Sequence, residues 1–217
     1  VESKIIVALD GMDWEVARRL ARSLRDEVWG FKVNDALIDK GLDCVHELKN
    51  LGVNVFADPK LHDIPNTVGN AVKKIVRAGA DIITVHAMGG FDMLRAAVAE
   101  GGPRIAAVSL LTSMGDDDCI EVFGGFRRNI LPDLLKMPER AGVSKLICGV
   151  PDLDLVGIRF FTIVPGIRVE QTVDDDQKNR GIPKNGTYGL TVVGRPITKA
   201  PDPVAAAKLY NQILNDA

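Results

Sequence analysis

The hydrophobic positions of this chain fall into two rhythms. Eight short runs are apolar almost throughout: Ile5–Leu9, Trp29–Val33, Val53–Ala57, Ile82–Val85, Ile105–Leu111, Leu146–Val150, Phe160–Val164 and Leu190–Val193. Continuous runs of this length predict strands buried on both faces. Between them apolar residues return every third or fourth position, the period of a helix with one buried face. Asp13 is placed as an N-cap, with Glu15 in the first turn and Val16, Leu20 and Leu24 facing inward. Val45, Leu48 and Leu51 make the next face, which stops at Gly52. After Pro65, Asn66 is placed to cap a helix that turns Val68, Ala71, Val72, Ile75 and Val76 inward and ends at Gly79. Leu94, Ala97 and Val98 mark another. Residues 115–143 predict helix in parts, broken at Gly124-Gly125, Pro132 and Pro138. Asp202-Pro203, an N-cap followed by proline at the first helical position, opens a last helix with Ala206, Leu209, Tyr210, Ile213 and Leu214 on one face.

Eight buried strands alternating with helices predict an α/β fold, a closed (β/α)8 TIM barrel forming one domain over residues 1–217. An open doubly wound sheet is the alternative, and no G-x-G-x-x-G follows the first strand to favour a dinucleotide site. The 217 residues fall short of the roughly 250 usual for such a barrel, so the connections must be compact. The trimming is expected at 151–159, after the sixth strand, and around 178–189. There the turn-rich stretch Arg180–Gly189 predicts that the helix between strands seven and eight is reduced or absent.

Composition narrows the function. The net charge of -2 carries no basic stripe, which argues against a nucleic-acid partner and leaves room for a small anionic ligand. No apolar stretch approaches the roughly 18 residues needed to span a membrane, and Val1–Asp10 does not read as a signal peptide. Cys44, Cys119 and Cys148 are scattered and odd in number, the usage of reduced thiols in a cytoplasmic protein. Three histidines without ligand spacing predict no zinc site.

In a barrel the chemistry gathers where strands end, at the C-terminal face. The residues to inspect are therefore Asp10, Lys32, Asp58, Lys60, Thr112, Arg168 and Arg195. Asp58-Pro59-Lys60-Leu61-His62-Asp63 follows the third strand directly, and strand alternation puts Asp58 and Lys60 on one side. Lys32 ends the neighbouring strand. Two lysines and two carboxylates can then compensate one another in a dry pocket. A structural ion-pair network at the barrel top is the plain alternative. His46, Arg127 and Arg128 are expected on solvated helix faces, and Trp14 and Trp29 in packing. His62 is expected to point away from Lys60, and His86 either faces the site or is a hydrogen-bonded structural histidine.

The stretch Asp58–Thr67 resembles the D-x-K-x-x-D-I-P-N-T signature of the orotidine 5′-phosphate decarboxylase family. Six further pieces resemble the family in the same order: Val7–Asp10, Phe31–Val33, Thr84–Ala87, Leu111–Met114, Val164–Arg168 and Val193–Pro196. The resemblance implies decarboxylation of orotidine 5′-monophosphate to uridine 5′-monophosphate in pyrimidine nucleotide synthesis, without metal or organic cofactor. It implies that Lys32, Asp58, Lys60 and Asp63 form the catalytic array, with Lys60 giving the proton that replaces carbon dioxide at C6. Asp10 and Lys32 would hold ribose hydroxyls, and Thr112 the pyrimidine. Pro165 would line the pocket, and Arg168, Gln177, Gly194 and Arg195 would surround the phosphate. The family's dimers share sites, which implies that Asp63 and Thr67 reach into a neighbouring subunit.

The chain departs from the family pattern at Pro59, which removes a ladder N–H and predicts that strand pairing stops there. Two rivals remain. Magnesium-dependent sugar-phosphate decarboxylases and aldolases of the same superfamily share D-x-K-x-x-D, but carry Glu where this chain has Lys32. A non-catalytic nucleotide-binding barrel would have no reason to keep all four charged residues.

Overall fold

A computed structural model of the chain describes residues 3–168, 181–184 and 186–217. Eight parallel strands pair in chain order and the eighth returns to the first, closing the barrel. The strands are β1 (Ile5–Ala8), β2 (Gly30–Val33), β3 (Asn54–Leu61), β4 (Ile82–His86), β5 (Ile105–Val108), β6 (Lys145–Ile147), β7 (Phe161–Pro165) and β8 (Leu190–Val193). The outer layer holds α1 (Trp14–Leu24), α2 (Asp35–Asp39), α3 (Asp43–Lys49), α4 (Pro65–Arg77), α5 (Phe91–Gly101), α6 (Asp116–Phe123), α7 (Arg127–Ala141), α8 (Leu153–Val156), α9 (Arg195–Thr198) and α10 (Pro203–Asp216). All eight predicted strands are present. β5 and β6 end earlier than the apolar runs do, because those runs continue into the loops of the barrel mouth.

The continuous apolar runs serve two cores at once. One strand face fills the lumen with Ile6, Phe56, Ile82, Ala106, Val108, Ile147, Ile163, Leu190 and Val192. The other face, with residues such as Ile5, Val7, Phe31 and Ile83, meets the helices. Both faces are shielded from water, so neither needs the polar alternation of a half-exposed strand.

Several helices differ from their predicted form. α1 buries Trp14, Ala17, Ala21 and Leu24, whereas Val16 is 43% exposed. Val16 and Leu20 line the barrel mouth, with the half-buried Leu20 packing against the core as well. Asp13 holds the N-cap position but its side chain makes no capping bond. α4 starts two residues earlier than predicted: Ile64 is its N-cap and Pro65 its first residue, so Asn66 lies inside the first turn. The Gly124 break between α6 and α7 is real, with Gly124 in the left-handed region at φ 76°. Pro132 and Pro138 do not break α7, which runs through both. An interior proline costs about 3 kcal/mol, and here Leu131, Leu135, Pro138 and Ala141 bury the helix's inner face and offset it. In α10, Asp202 caps as predicted, accepting from the amides of Val204 and Ala205. Leu209 of the predicted inner face is exposed.

The outer layer is thin where the chain is short. β6 and β7 are joined by 3-10 turns and the four-residue α8. Between β7 and β8 the described residues contain no helix. Among the described residues no helix is long and apolar enough to cross a membrane.

Candidate active site

A cavity of about 860 Å³ opens at the C-terminal end of the barrel. Its floor is apolar, made by Ala8, Phe56, Val108, Ile147 and Val192. Its wall carries the predicted residues Asp10, Lys32, Asp58, Lys60, Thr112, Pro165, Arg168, Gly194 and Arg195. The charged array comes from β1 to β3, Thr112 from the turn after β5, and the arginines from the ends of β7 and β8.

The array is a chain of alternating charges. Lys32 Nζ donates to Asp10 and lies 3.4 Å from Asp58 Oδ2. Lys60 Nζ donates to that same Asp58 oxygen at 2.7 Å. Thr84 Oγ1 donates to the other, Oδ1, at 2.8 Å. Asp58 is 5% exposed and Lys32 9%. Burial pulls the Lys32 ammonium down, yet Asp58 and Asp10 outweigh it and hold its pKa above the ordinary lysine value. Thr84 and Asn34 escaped the sequence reading as site residues. Thr84 lies in one of the fragments resembling the family, and Asn34 directly follows β2, but neither residue type alone marks a site.

Pro59 shapes this geometry differently from expectation. Pairing with β4 does not end at the proline. It lapses after Ala57↔Ile83 and resumes at Leu61↔Val85, so residues 58–60 form a bulge. Side chains satisfy its backbone: Asn34 Nδ2 donates to the Asp58 carbonyl at 2.6 Å, and the Lys60 amide donates to Thr84 Oγ1 at 2.9 Å. Lys60 takes a φ of 47°. The bulge, rather than plain alternation, brings Asp58 and Lys60 together.

Asp63 and Thr67 are not brought to the cavity. Both are exposed, and Asp63 accepts from the amide of Ile64 at 2.6 Å. Gln177 lies outside the described residues. His86 ends β4 with its ring 5.3 Å from that of His62, and its buried Nδ1 has no hydrogen-bond partner among the described residues. Burial first, then His62 and Lys60, push the His86 pKa below the ordinary histidine value, against the pull of Asp58.

Arg127 overturns its expectation most clearly. It is not on a solvated face: it is 7% exposed and paired with Asp152, which is 1% exposed. Helical periodicity places Arg127 at a helix start, where a cation is ordinarily solvated, and nothing nearby in sequence announces its partner 25 residues on. The three cysteines are buried and unpaired, and burial pushes the Cys148 thiol up to about 12. Among the described residues no three His, Cys, Asp or Glu side chains gather as a metal site.

Comparison with known proteins gives consistent matches. The model of the Orotidine 5'-phosphate decarboxylase / HUMPS family matches residues 3–210. An orotidine 5'-phosphate decarboxylase of Carboxydothermus hydrogenoformans is 36% identical over 230 residues, covering 97% of this chain and 95% of its own. That of Nitrosomonas eutropha is 37% identical over 223 residues, covering 97% and 96%. The crystal structure of orotidine 5'-phosphate decarboxylase from Lactobacillus acidophilus matches with a TM-score of 0.78 at 29% identity, covering 99% of this chain and all of that one.

Proposed function

Because the chain belongs to the Orotidine 5'-phosphate decarboxylase / HUMPS family, we propose that it converts orotidine 5′-monophosphate to uridine 5′-monophosphate and carbon dioxide. The observation that carries this reading is Asp58 held between two ammonium groups, at 2.7 Å from Lys60 and 3.4 Å from Lys32.

The reaction breaks the bond between C6 and its carboxylate, leaving the electron pair on C6 in the plane of the ring. No ring position spreads that charge well, so a fixed cation beside C6 is the natural device. In this reading Lys60 supplies the cation and then the proton, and solvent restores the proton it gives up. Asp58 fixes Lys60 and faces the departing carboxylate. Asp10 and Lys32 hold the ribose, Thr112 the pyrimidine, and Arg168, Gly194 and Arg195 the phosphate, beside Pro165. Binding energy from the phosphate end offsets the cost of holding the reacting end in place.

The scheme uses no metal. The Lys32 ammonium sits between Asp10 and Asp58, where it would repel a divalent cation, which weighs against the magnesium-dependent rival. Asp63 and Thr67, exposed at the start of α4, complete the site of a second copy in a homodimer.

The test is a spectrophotometric assay of orotidine 5′-monophosphate with EDTA present. Conversion to uridine 5′-monophosphate is expected. No turnover, or turnover only on adding magnesium, overturns the proposal.

A further inference from the structure

The geometry points to Arg127, with Asp152, as a positioning residue that fixes the turn carrying Thr112 and thereby the base end of the cavity. The inference rests on the nucleotide reading of that cavity.

β5 loses its ladder partners at the barrel mouth. Ser109 is the last residue tied to β6, its amide and hydroxyl both donating to the Ile147 carbonyl at 3.1 and 2.8 Å. Beyond it the Met114 amide donates to the Leu111 carbonyl at 3.1 Å, closing a four-residue turn with Thr112 and Ser113 at its centre. Leu110, Leu111 and Thr112 all line the cavity. A turn standing past the end of its strand needs another anchor to hold one orientation.

Arg127 supplies that anchor. Its Nη1 donates to the carbonyls at both ends of the turn, Leu111 at 3.1 Å and Met114 at 3.0 Å. Its Nη2 reaches the Leu110 carbonyl at 3.4 Å. Nε and Nη2 together grip the Asp152 carboxylate at 2.8 and 2.5 Å. The five N–H groups of a guanidinium thus meet five acceptors. The Arg127 amide donates in turn to Asp116 Oδ1 at 2.9 Å. Because a buried guanidinium requires a counter-charge, Asp152 is part of the device. A lysine keeps the charge but has one donor atom and no fork, so it cannot hold the carboxylate and three carbonyls at once.

A device that sets the base end leaves the phosphate end alone, and this separates it from a merely structural role. The experiment compares wild type with Arg127→Lys and with the charge-free double variant Arg127→Met/Asp152→Leu. Dissociation constants are measured for uridine 5′-monophosphate and for ribose 5-phosphate, which lacks the base, beside a thermal melt and kcat/KM. A 1 Å misplacement can cost about 100-fold in rate. A folded variant is therefore expected to lose about 10- to 100-fold in kcat/KM and to bind uridine 5′-monophosphate more weakly, while ribose 5-phosphate binding stays within about twofold. Equal weakening of both ligands, no weakening of either, or failure of both variants to fold overturns the inference. If wild type binds uridine 5′-monophosphate without decarboxylating the substrate, the proposed function fails but the two-ligand comparison still judges Arg127.

Discussion

Lys60 is the sole non-glycine among the described residues in the left-handed region. A lysine there costs about 1–3 kcal/mol and persists only where its surroundings over-determine it. Pro59 fixes the preceding φ, and Thr84 holds both the Lys60 amide and the Asp58 carboxylate. Backbone strain therefore coincides with the group proposed to give the proton. The identities in this array were legible in the sequence because charged residues at strand ends are rare and chemically specific. Their supports were not, because Asn34 and Thr84 act on a bulge whose shape depends on β4. His86 gives this scale its pH prediction. Its pKa is lowered in the folded chain, by burial first. Below about pH 6.5 the unfolded chain takes up a proton that the folded one refuses, so stability falls as pH drops through that window. His86→Asn is expected to flatten the fall between pH 6.5 and 5, where one such histidine contributes at most about 1.4 kcal/mol per pH unit. Urea melts of both proteins across that range measure it, and parallel curves would remove the histidine from the account.

Among the elements, β2 and β3 are the pair that must not slip, because Lys32 stands opposite Phe56 and reaches Asp58 two residues on. Gly30 permits their approach: a Cβ there would lie 2.3 Å from the Asn54 carbonyl oxygen, on backbone that cannot step aside cheaply. Gly30→Ala is expected to cost about 1–3 kcal/mol, with a lower melting temperature and a lower kcat/KM. Unchanged stability would show that the strands can part without loss. The strands were the most legible elements, since each is a continuous apolar run. Helix faces were read less well. In α1 the small Ala17 and Ala21 take the core face, because the helix sits close against the barrel, and Val16 is left to the mouth. The prolines of α7 misled because local propensity was outweighed by the buried face of the whole helix.

For the molecule as a whole, the cavity, the arginines and the exposed run from His62 to Thr67 all lie at strand ends on one side of the barrel. Ile64 in that run is 65% exposed, a patch suited to cover by a second copy. The proposed shared site makes a prediction at this scale. Lys60→Ala and Asp63→Ala chains, each nearly inactive, are expected to recover up to about a quarter of wild-type activity per chain when mixed and refolded, because a random hybrid dimer retains one intact site. Activity no higher than the separate variants would show that each chain works alone. That eight strands close into a ring was legible from their count, but the exposure of the run from His62 to Thr67 was not, because exposure of a loop has no pattern in a single sequence. Closure itself has a consequence in time. Ile5 pairs with Thr191, so β1 waits for the last strand before both its edges are satisfied. A chain emerging from the ribosome thus carries two open sheet edges through most of its synthesis, and long-range pairing of this kind is slow. The same join that leaves the finished barrel without an edge makes its unfinished form the state most exposed to aggregation.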